Sequence, residues 1–161
     1  MKISFNKLSD KARVWIYPSS RKLSDIEVKE IIILCDDFIN QWTAHNNSLL
    51  ASVDIPYNRF IVIGLEIEFN AASGCSIDSS VHFIQTLEKK FNIVLLDKMN
   101  VTFKQGEYLT HKSLNDFKDM AKKGSVNADT IVFNNLINDL ASYRSQWEIP
   151  MKESWHSRFI K

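Results

Sequence analysis

Six consecutive residues, Phe60-Ile61-Val62-Ile63-Gly64-Leu65, carry neither a charge nor a polar side chain. The run is short and rich in β-branched residues, so it reads as a strand. Successive side chains of a strand point to opposite faces. Phe60, Val62 and Gly64 take one face; Ile61, Ile63 and Leu65 take the other. Both sets are apolar, whereas a sheet with one wet face alternates. Any fold for this chain must therefore cover a sheet on both sides. The expected cover for the second face is the C-terminal third or another subunit.

The flanking segments supply partners for that strand. Arg13-Val14-Trp15-Ile16-Tyr17 is a strand stopped by Pro18. Ser24-Asp25-Ile26-Glu27 spells a capping box, with Ser24 as N-cap and Glu27 reaching back. Val28, Ile31, Ile32, Cys35, Phe38, Ile39 and Trp42 recur at helical spacing, which predicts a helix to about Thr43, broken by Asn46-Asn47. Residues 49–55 and 59–66 read as strands joined by a turn at Pro56-Tyr57-Asn58. A loop of small residues follows at 70–75. Ser73 or Ser76 then caps a second helix whose core face is Ile77, Val81, Ile84, Leu87 and Phe91. Residues 93–96 read as a further strand. The order β-α-β-β-α-β is that of the split βαβ, or ferredoxin-like, unit. The expected class is α+β: a ferredoxin-like antiparallel sheet with two helices over residues 1–98, followed by a smaller α/β unit over 99–161.

That C-terminal unit reads as a strand at 99–103, a turn at Gln105-Gly106 and a short strand at Tyr108-Leu109. A helix from Ser113 to Lys122 is closed by Gly124, and a strand follows over Thr130-Ile131-Val132-Phe133. A polar stretch leads to a last extended segment at 146–149. Ser113, Phe117 with Met120, Gly124 with Val126, Thr130 with Phe133, and Trp147 with Pro150 together resemble the pattern of a GYF-2-type adaptor domain. The resemblance covers about a third of the chain. It implies a GYF-like unit that holds an extended, often proline-rich, peptide in an aromatic groove. The chain departs from the pattern in three places. Thr110-His111-Lys112 stands where the family has Gly-Pro, the first strand keeps only Phe103 of its aromatics, and residues 136–145 form an insertion before Trp147.

The whole chain also resembles a group of short bacterial proteins of unknown role. The shared segments are Arg13-Val14-Trp15-Ile16-Tyr17, Gln41-Trp42-Thr43-Ala44-His45, Tyr57-Asn58-Arg59-Phe60, Ser73-Gly74-Cys75-Ser76-Ile77-Asp78 and Ser154-Trp155-His156-Ser157-Arg158-Phe159. Some members carry the label of a transporter ATPase. A phosphate-binding loop needs Gly-x-x-x-x-Gly-Lys-Ser/Thr. The nearest approach runs from Gly106 to Lys112-Ser113, and His111 occupies the place of the second glycine. ATPase chemistry is accordingly not expected.

Net charge is +1, so no general field draws in nucleic acid or an acidic membrane. Trp15 and Tyr17 share a strand face and are the candidates for stacking bases. The other central strand lacks the Gly/aromatic alternation of RNA-recognition domains, so a nucleic-acid partner is disfavoured. Two cysteines, Cys35 and Cys75, are too few for a disulfide framework and suit a reducing compartment. The N-terminus has no apolar signal core, and no apolar run is long enough for a membrane span. The expected location is cytoplasmic, with no membrane partner.

One stretch has the makings of a reactive site. Cys75 falls at a helix N-terminus, where the dipole favours a thiolate and free N–H groups favour an anion. Cys75, Asp78, His82 and Gln85 share the helix face opposite the core. Cys75 and His82 stand about 10 Å apart along the axis, too far for a hydrogen bond. A base would come from His45 or His156, with Ser73, Gly74 and Ser76 completing the pocket. The four histidines are scattered and form no metal motif, and no cofactor is expected. The tail, Trp155 to Phe159, carries two aromatics and an arginine, residue types that anchor interfaces.

These observations point first to a non-catalytic interaction module for a protein or peptide partner, acting alone or as a homodimer, with Phe103, Trp147, Trp155 and Arg158 as the contact residues. The alternative is a small thiol-dependent or anion-binding enzyme centred on Cys75, with His45, His82 or His156 beside the sulfur.

Overall fold

The computed structural model describes residues 1–160. The chain is an α+β protein with antiparallel sheets, and it divides into two compact units. Unit 1 comprises residues 1–96 and 138–143; unit 2 comprises 97–137 and 144–161. No helix among the described residues is long and apolar enough to cross a membrane.

Unit 1 is built on strands β1 (Arg13–Pro18), β4 (Ala51–Asp54) and β5 (Phe60–Leu65), in the order β1-β5-β4. β5 is central and all six of its residues are buried. Register places Trp15 and Tyr17 of β1 opposite Ile63 and Ile61. That face carries both long helices, α1 (Asp25–Gln41) and α2 (Gly74–Phe91). Ile31, Cys35, Ile39, Ile84, Leu87 and Phe91 join Ile61, Ile63 and Leu65 in one core. Tyr17 lies in this core, and Trp15 packs against it and Trp42 with the Arg13 guanidinium 4.6 Å from its ring centre. The Ser24–Glu27 capping box forms as read. Glu27 is also gripped by Arg21, which holds its carboxyl well below the usual range, at about 2.

The second helix departs from the expected face. Ile77 and Val81 are only partly buried, and Ser76 and Ser80 take the core positions instead. Each serine satisfies its own hydroxyl by donating to the carbonyl three residues back, Ser73 O at 2.8 Å and Ile77 O at 2.6 Å. A polar residue can then be buried without an unmet donor.

The far face of β5 is covered within unit 1. A Cβ built on Gly64 would lie 2.5 Å from Leu8 Cδ1 and 3.4 Å from Phe5 Cε2. The missing Cβ leaves the room in which the Leu8 and Phe5 side chains pack directly on the strand. Residues 138–143 run alongside, with Val14 N–H donating to Asn138 O, Leu140 N–H to Ala12 O and Ala141 N–H to Asp10 O. The cover over Gly64 itself comes from Phe5 and Leu8, in place of the expected C-terminal third or second subunit, while residues 138–143 of that third border the sheet at β1.

The expected strand at 93–96 does not form, so the βαββαβ order lacks its last member. One residue diverts it. Glu88 of α2 accepts from the amides of Leu95 and Leu96 at 2.8 and 3.1 Å, leaving those groups no ladder to join. Short strands β2 (Thr43–Ala44) and β3 (Asn47–Ser48) form a hairpin where the sequence reads only as a helix break.

Unit 2 holds a four-stranded sheet, β6 (Asn100–Gln105), β7 (Tyr108–Ser113), β8 (Ile131–Phe133) and β9 (Glu148–Pro150), in the order β7-β6-β8-β9. Helix α3 (Leu114–Lys122) is capped by Ser113 and ends at Gly124, whose φ of 78° suits a residue without a Cβ. Phe117 and Ala121 of α3 pack with Val101, Phe103, Val126, Val132 and Met151. The stretch read as an insertion in a loop instead contains α4 (Leu140–Gln146). Asp139 caps it, accepting from Ser142 N–H at 2.8 Å, and the chain passes from unit 1 to unit 2 within it.

Candidate functional site

Three places in the molecule are candidates for a functional site: a cleft at the start of α2, the C-terminal tail, and the outer edge of β7.

The cleft belongs to unit 1. Its walls are Thr43, His45, Asn46, Ser73, Gly74, Cys75, Ser76 and Ser79, around an open volume of about 570 Å³. The β2–β3 hairpin brings His45 there. Its two-residue turn, His45-Asn46, has φ values of 51° and 65°, the left-handed pair of a type I′ turn. The Trp42 indole N–H donates to Ser76 O at 2.8 Å, tying the end of α1 to the first turn of α2. Cys75 is exposed and His45 is exposed. No hydrogen bond joins the Cys75 sulfur to another group among the described residues. Ser73 and Ser76 cap the helix reciprocally, so their hydroxyls are already engaged.

The other two histidines expected beside the sulfur stand elsewhere. His82 lines a separate depression with Gln85, Glu88 and Asn92. His156 lies inside unit 2, 1% exposed, with Nδ1 2.7 Å from Ser154 Oγ. Burial pushes its pKa down to about 4, helped by the Arg158 charge. Cys35 is internal, and burial raises its thiol to about 12, so it carries no thiolate at neutral pH. Among the described residues, no three His, Cys, Asp or Glu side chains gather as a metal ion requires.

The contact residues expected in the C-terminal unit divide in two. Phe103 is 0% exposed and packs against Phe117 at 5.2 Å. Trp147 is 6% exposed, lies 4.8 Å from Phe133 and donates its indole N–H to Asn135 Oδ1. Both are core residues of unit 2, so the expected aromatic groove has lost two of its walls. An apolar stripe in a sequence looks the same whether it lines a groove or fills a core. Trp155 and Arg158 stay at the surface. Trp155 is half-buried, stacked on His156 at 3.8 Å, with the Arg158 guanidinium 5.3 Å from its ring centre. Trp155, Phe159 and Ile160 pack on the core of unit 2, so the tail docks on its own chain.

The third place was hidden in the segment that approaches a phosphate loop. Gly106-Glu107 makes the tight turn of a hairpin, and Tyr108–Ser113 pairs with β6 from Gln105↔Tyr108 to Asn100↔Ser113. The segment is extended, not wrapped around an anion. Because a two-residue turn makes Gln105 and Tyr108 a hydrogen-bonded pair, the amides of Tyr108, Thr110 and Lys112 face β6. The Leu109 amide faces the other way, at the rim of the sheet. Tyr108 there is 78% exposed. No protein-family model matches the sequence, and no curated protein or solved structure is detectably similar to it.

The signals for these placements were faint. Thr43, Asn46 and Ser79 of the cleft carry no motif; only the His-Asn-Asn succession, typical of left-handed turns, hints at the hairpin that delivers His45.

Proposed function

We propose that the protein is a non-catalytic interaction module that receives an extended segment of another polypeptide along the outer edge of β7. One observation carries this reading. β7 is a six-residue strand at the sheet margin, hydrogen-bonded to β6 along its whole length and, among the described residues, to no second strand. Strand addition to such a margin supplies backbone hydrogen bonds for affinity, while alternate side chains set specificity. The succession β6-β7-α3-β8 at the start of unit 2 is in keeping with the resemblance to GYF-type adaptors, which also hold extended peptides. With Phe103 and Trp147 internal, the edge and the exposed Tyr108 replace the aromatic groove as the gripping surface.

The test is a display selection of random peptides on the full chain, followed by binding to Leu109→Pro. Proline removes the outward amide and leaves the pairing with β6 intact. Selected peptides should lose at least tenfold in affinity, with amide shifts confined to β6 and β7. Peptides that bind the variant equally well, or that perturb only unit 1, would refute the reading. Amide protection of β6 in the variant reports that unit 2 is still folded.

A second reading, a thiol-dependent enzyme centred on Cys75, is favoured by one observation: His45 and Cys75 line the same cleft. It requires Cys75 to alkylate faster than a free thiol and His45→Ala to abolish the difference. Equal rates in both proteins dismiss it.

A further inference from the structure

The margin of β7 carries opposite charges at its two ends. Lys112 is the penultimate residue of the strand, and Glu107 is the turn residue just before it. Both side chains are exposed, and neither has an ion-pair partner among the described residues. Lys104, on the neighbouring strand, is by contrast paired with Glu148 at 3.2 Å. Five residues of extended chain, roughly 17 Å, separate Glu107 from Lys112. Between them Tyr108 is 78% exposed and Thr110 is half-buried.

The backbone decides which of these side chains an added strand would meet. Tyr108, Thr110 and Lys112 lie opposite Gln105, Phe103 and Val101, on the sheet face where Phe103 meets Phe117 of α3. Their amides face β6, so each forms a non-hydrogen-bonded pair with a strand laid on the outer side. Such pairs bring the Cα atoms to about 4.5 Å, closer than the hydrogen-bonded ones, and their side chains interact most. Tyr108 and Lys112 are therefore the side chains placed to read an incoming strand.

With peptide capture at β7 as the premise, we infer that the captured segment lies antiparallel to β7, with an acidic residue opposite Lys112 near its start and a basic residue opposite Glu107 five positions later. Every ladder of this sheet is antiparallel, and antiparallel pairing is slightly the more stable kind per residue. A segment running that way begins beside Lys112 and ends beside Glu107, so its charge order is acid first, base last. A β-branched residue then falls opposite Thr110 and an aromatic one opposite Tyr108, pairs that support one another across strands. The reversed order sets a basic residue against Lys112 and an acidic one against Glu107, and like charges directly opposite are destabilising. Exposed ion pairs are weak, so the backbone bonds hold the segment and the two charged ends choose among segments. Lys112 is the stronger selector, because its pair is of the closer, non-hydrogen-bonded kind.

The experiment compares two end-blocked peptides of identical composition and net charge, Glu-Thr-Val-Thr-Tyr-Lys and Lys-Thr-Val-Thr-Tyr-Glu. Each is titrated to about 1 mM into the full chain while backbone amide resonances are followed. The first should bind about fivefold more tightly than the second, with shifts in β6 and β7. The ratio should shrink as salt is raised. Glu107→Lys combined with Lys112→Glu should invert the preference, and Lys112→Glu alone should move it further than Glu107→Lys alone. All these substitutions are at exposed positions, and far-ultraviolet dichroism verifies the fold. Equal affinities, a wild-type preference for the second peptide, or a preference unchanged in the double variant would each overturn the charge order. If neither peptide shifts β7 while display-selected peptides do, the charge order fails and the capture stands. If no peptide of any kind reaches β7, both fall together.

Discussion

In unit 1 both margins of the sheet are occupied or interrupted by the chain itself. Residues 1–3 lie along β4, with Ala51 N–H donating to Met1 O and Ile3 N–H donating to Ala51 O. β1 meets Asp139 at its start and ends in Pro18, which has no amide to donate. In unit 2 one margin, β9, is three residues long and also ends in proline, but β7 runs six residues without one. The cores differ as well. Unit 1 is filled mainly by isoleucine and leucine, whereas unit 2 is built around Phe103 and Phe117 with a buried histidine. Short, proline-stopped or covered margins are how sheets avoid unwanted pairing. The margin of β7 carries none of these devices, and it is this difference that the proposed peptide capture rests on.

The strongest way to break this comparison is to remove the centre of the smaller core. Phe117→Ala deletes a ring in contact with Phe103, His156 and Phe159 and should cost about 3–5 kcal/mol. Urea titration followed by amide exchange should show β6 losing protection while β5 keeps it. Equal loss in both units would mean that they unfold as one.

Acid is the next lever, and it also acts on unit 2. His156 is held neutral in the folded state, with its pKa lowered to about 4 from an ordinary 6.5. The unfolded chain therefore takes up a proton at a higher pH than the folded one. The stabilisation is complete above pH 6.5 and is lost as pH falls towards 4. The loss amounts to about 3 kcal/mol. His156→Gln should flatten that part of the pH profile; a profile unchanged by the substitution would show that another group governs it.

The smallest effect tests the cover of unit 1. Gly64→Val places side-chain atoms where Leu8 lies, and overpacking of this kind costs about 1–3 kcal/mol. Exchange should quicken in β1 and β5 and stay unchanged in β6. Wild-type stability would show that residues 5–8 give way freely.

Local readings survived where local chemistry sufficed. The Ser24 capping box, the turn at Pro56–Asn58, the Ser113 cap and the Gly124 stop each depend on neighbours within a few residues. Readings failed where a distant or competing group decided. Residues 93–96 had the composition of a strand until Glu88 took two of its amides. Ile77 and Val81 read as core positions of the second helix, but Ser76 and Ser80 are the residues buried there, their hydroxyls bonded back to the helix. Trp147 and Phe103 looked like a groove until the fold placed them inside. In the cleft, Cys75 and its helix start were readable, but the choice of His45 over His82 and His156 required the hairpin.

Sequence by itself determined the α+β class, the central strand buried on both faces and the caps that start each long helix, because these follow from periodicity and from bonds between near neighbours. Only the tertiary structure decided which segment crosses Gly64, which aromatics fill the core of unit 2 and which sheet margin stays open. Those outcomes depend on segments far apart in the chain competing for the same surface and the same backbone groups, and no local pattern records who wins.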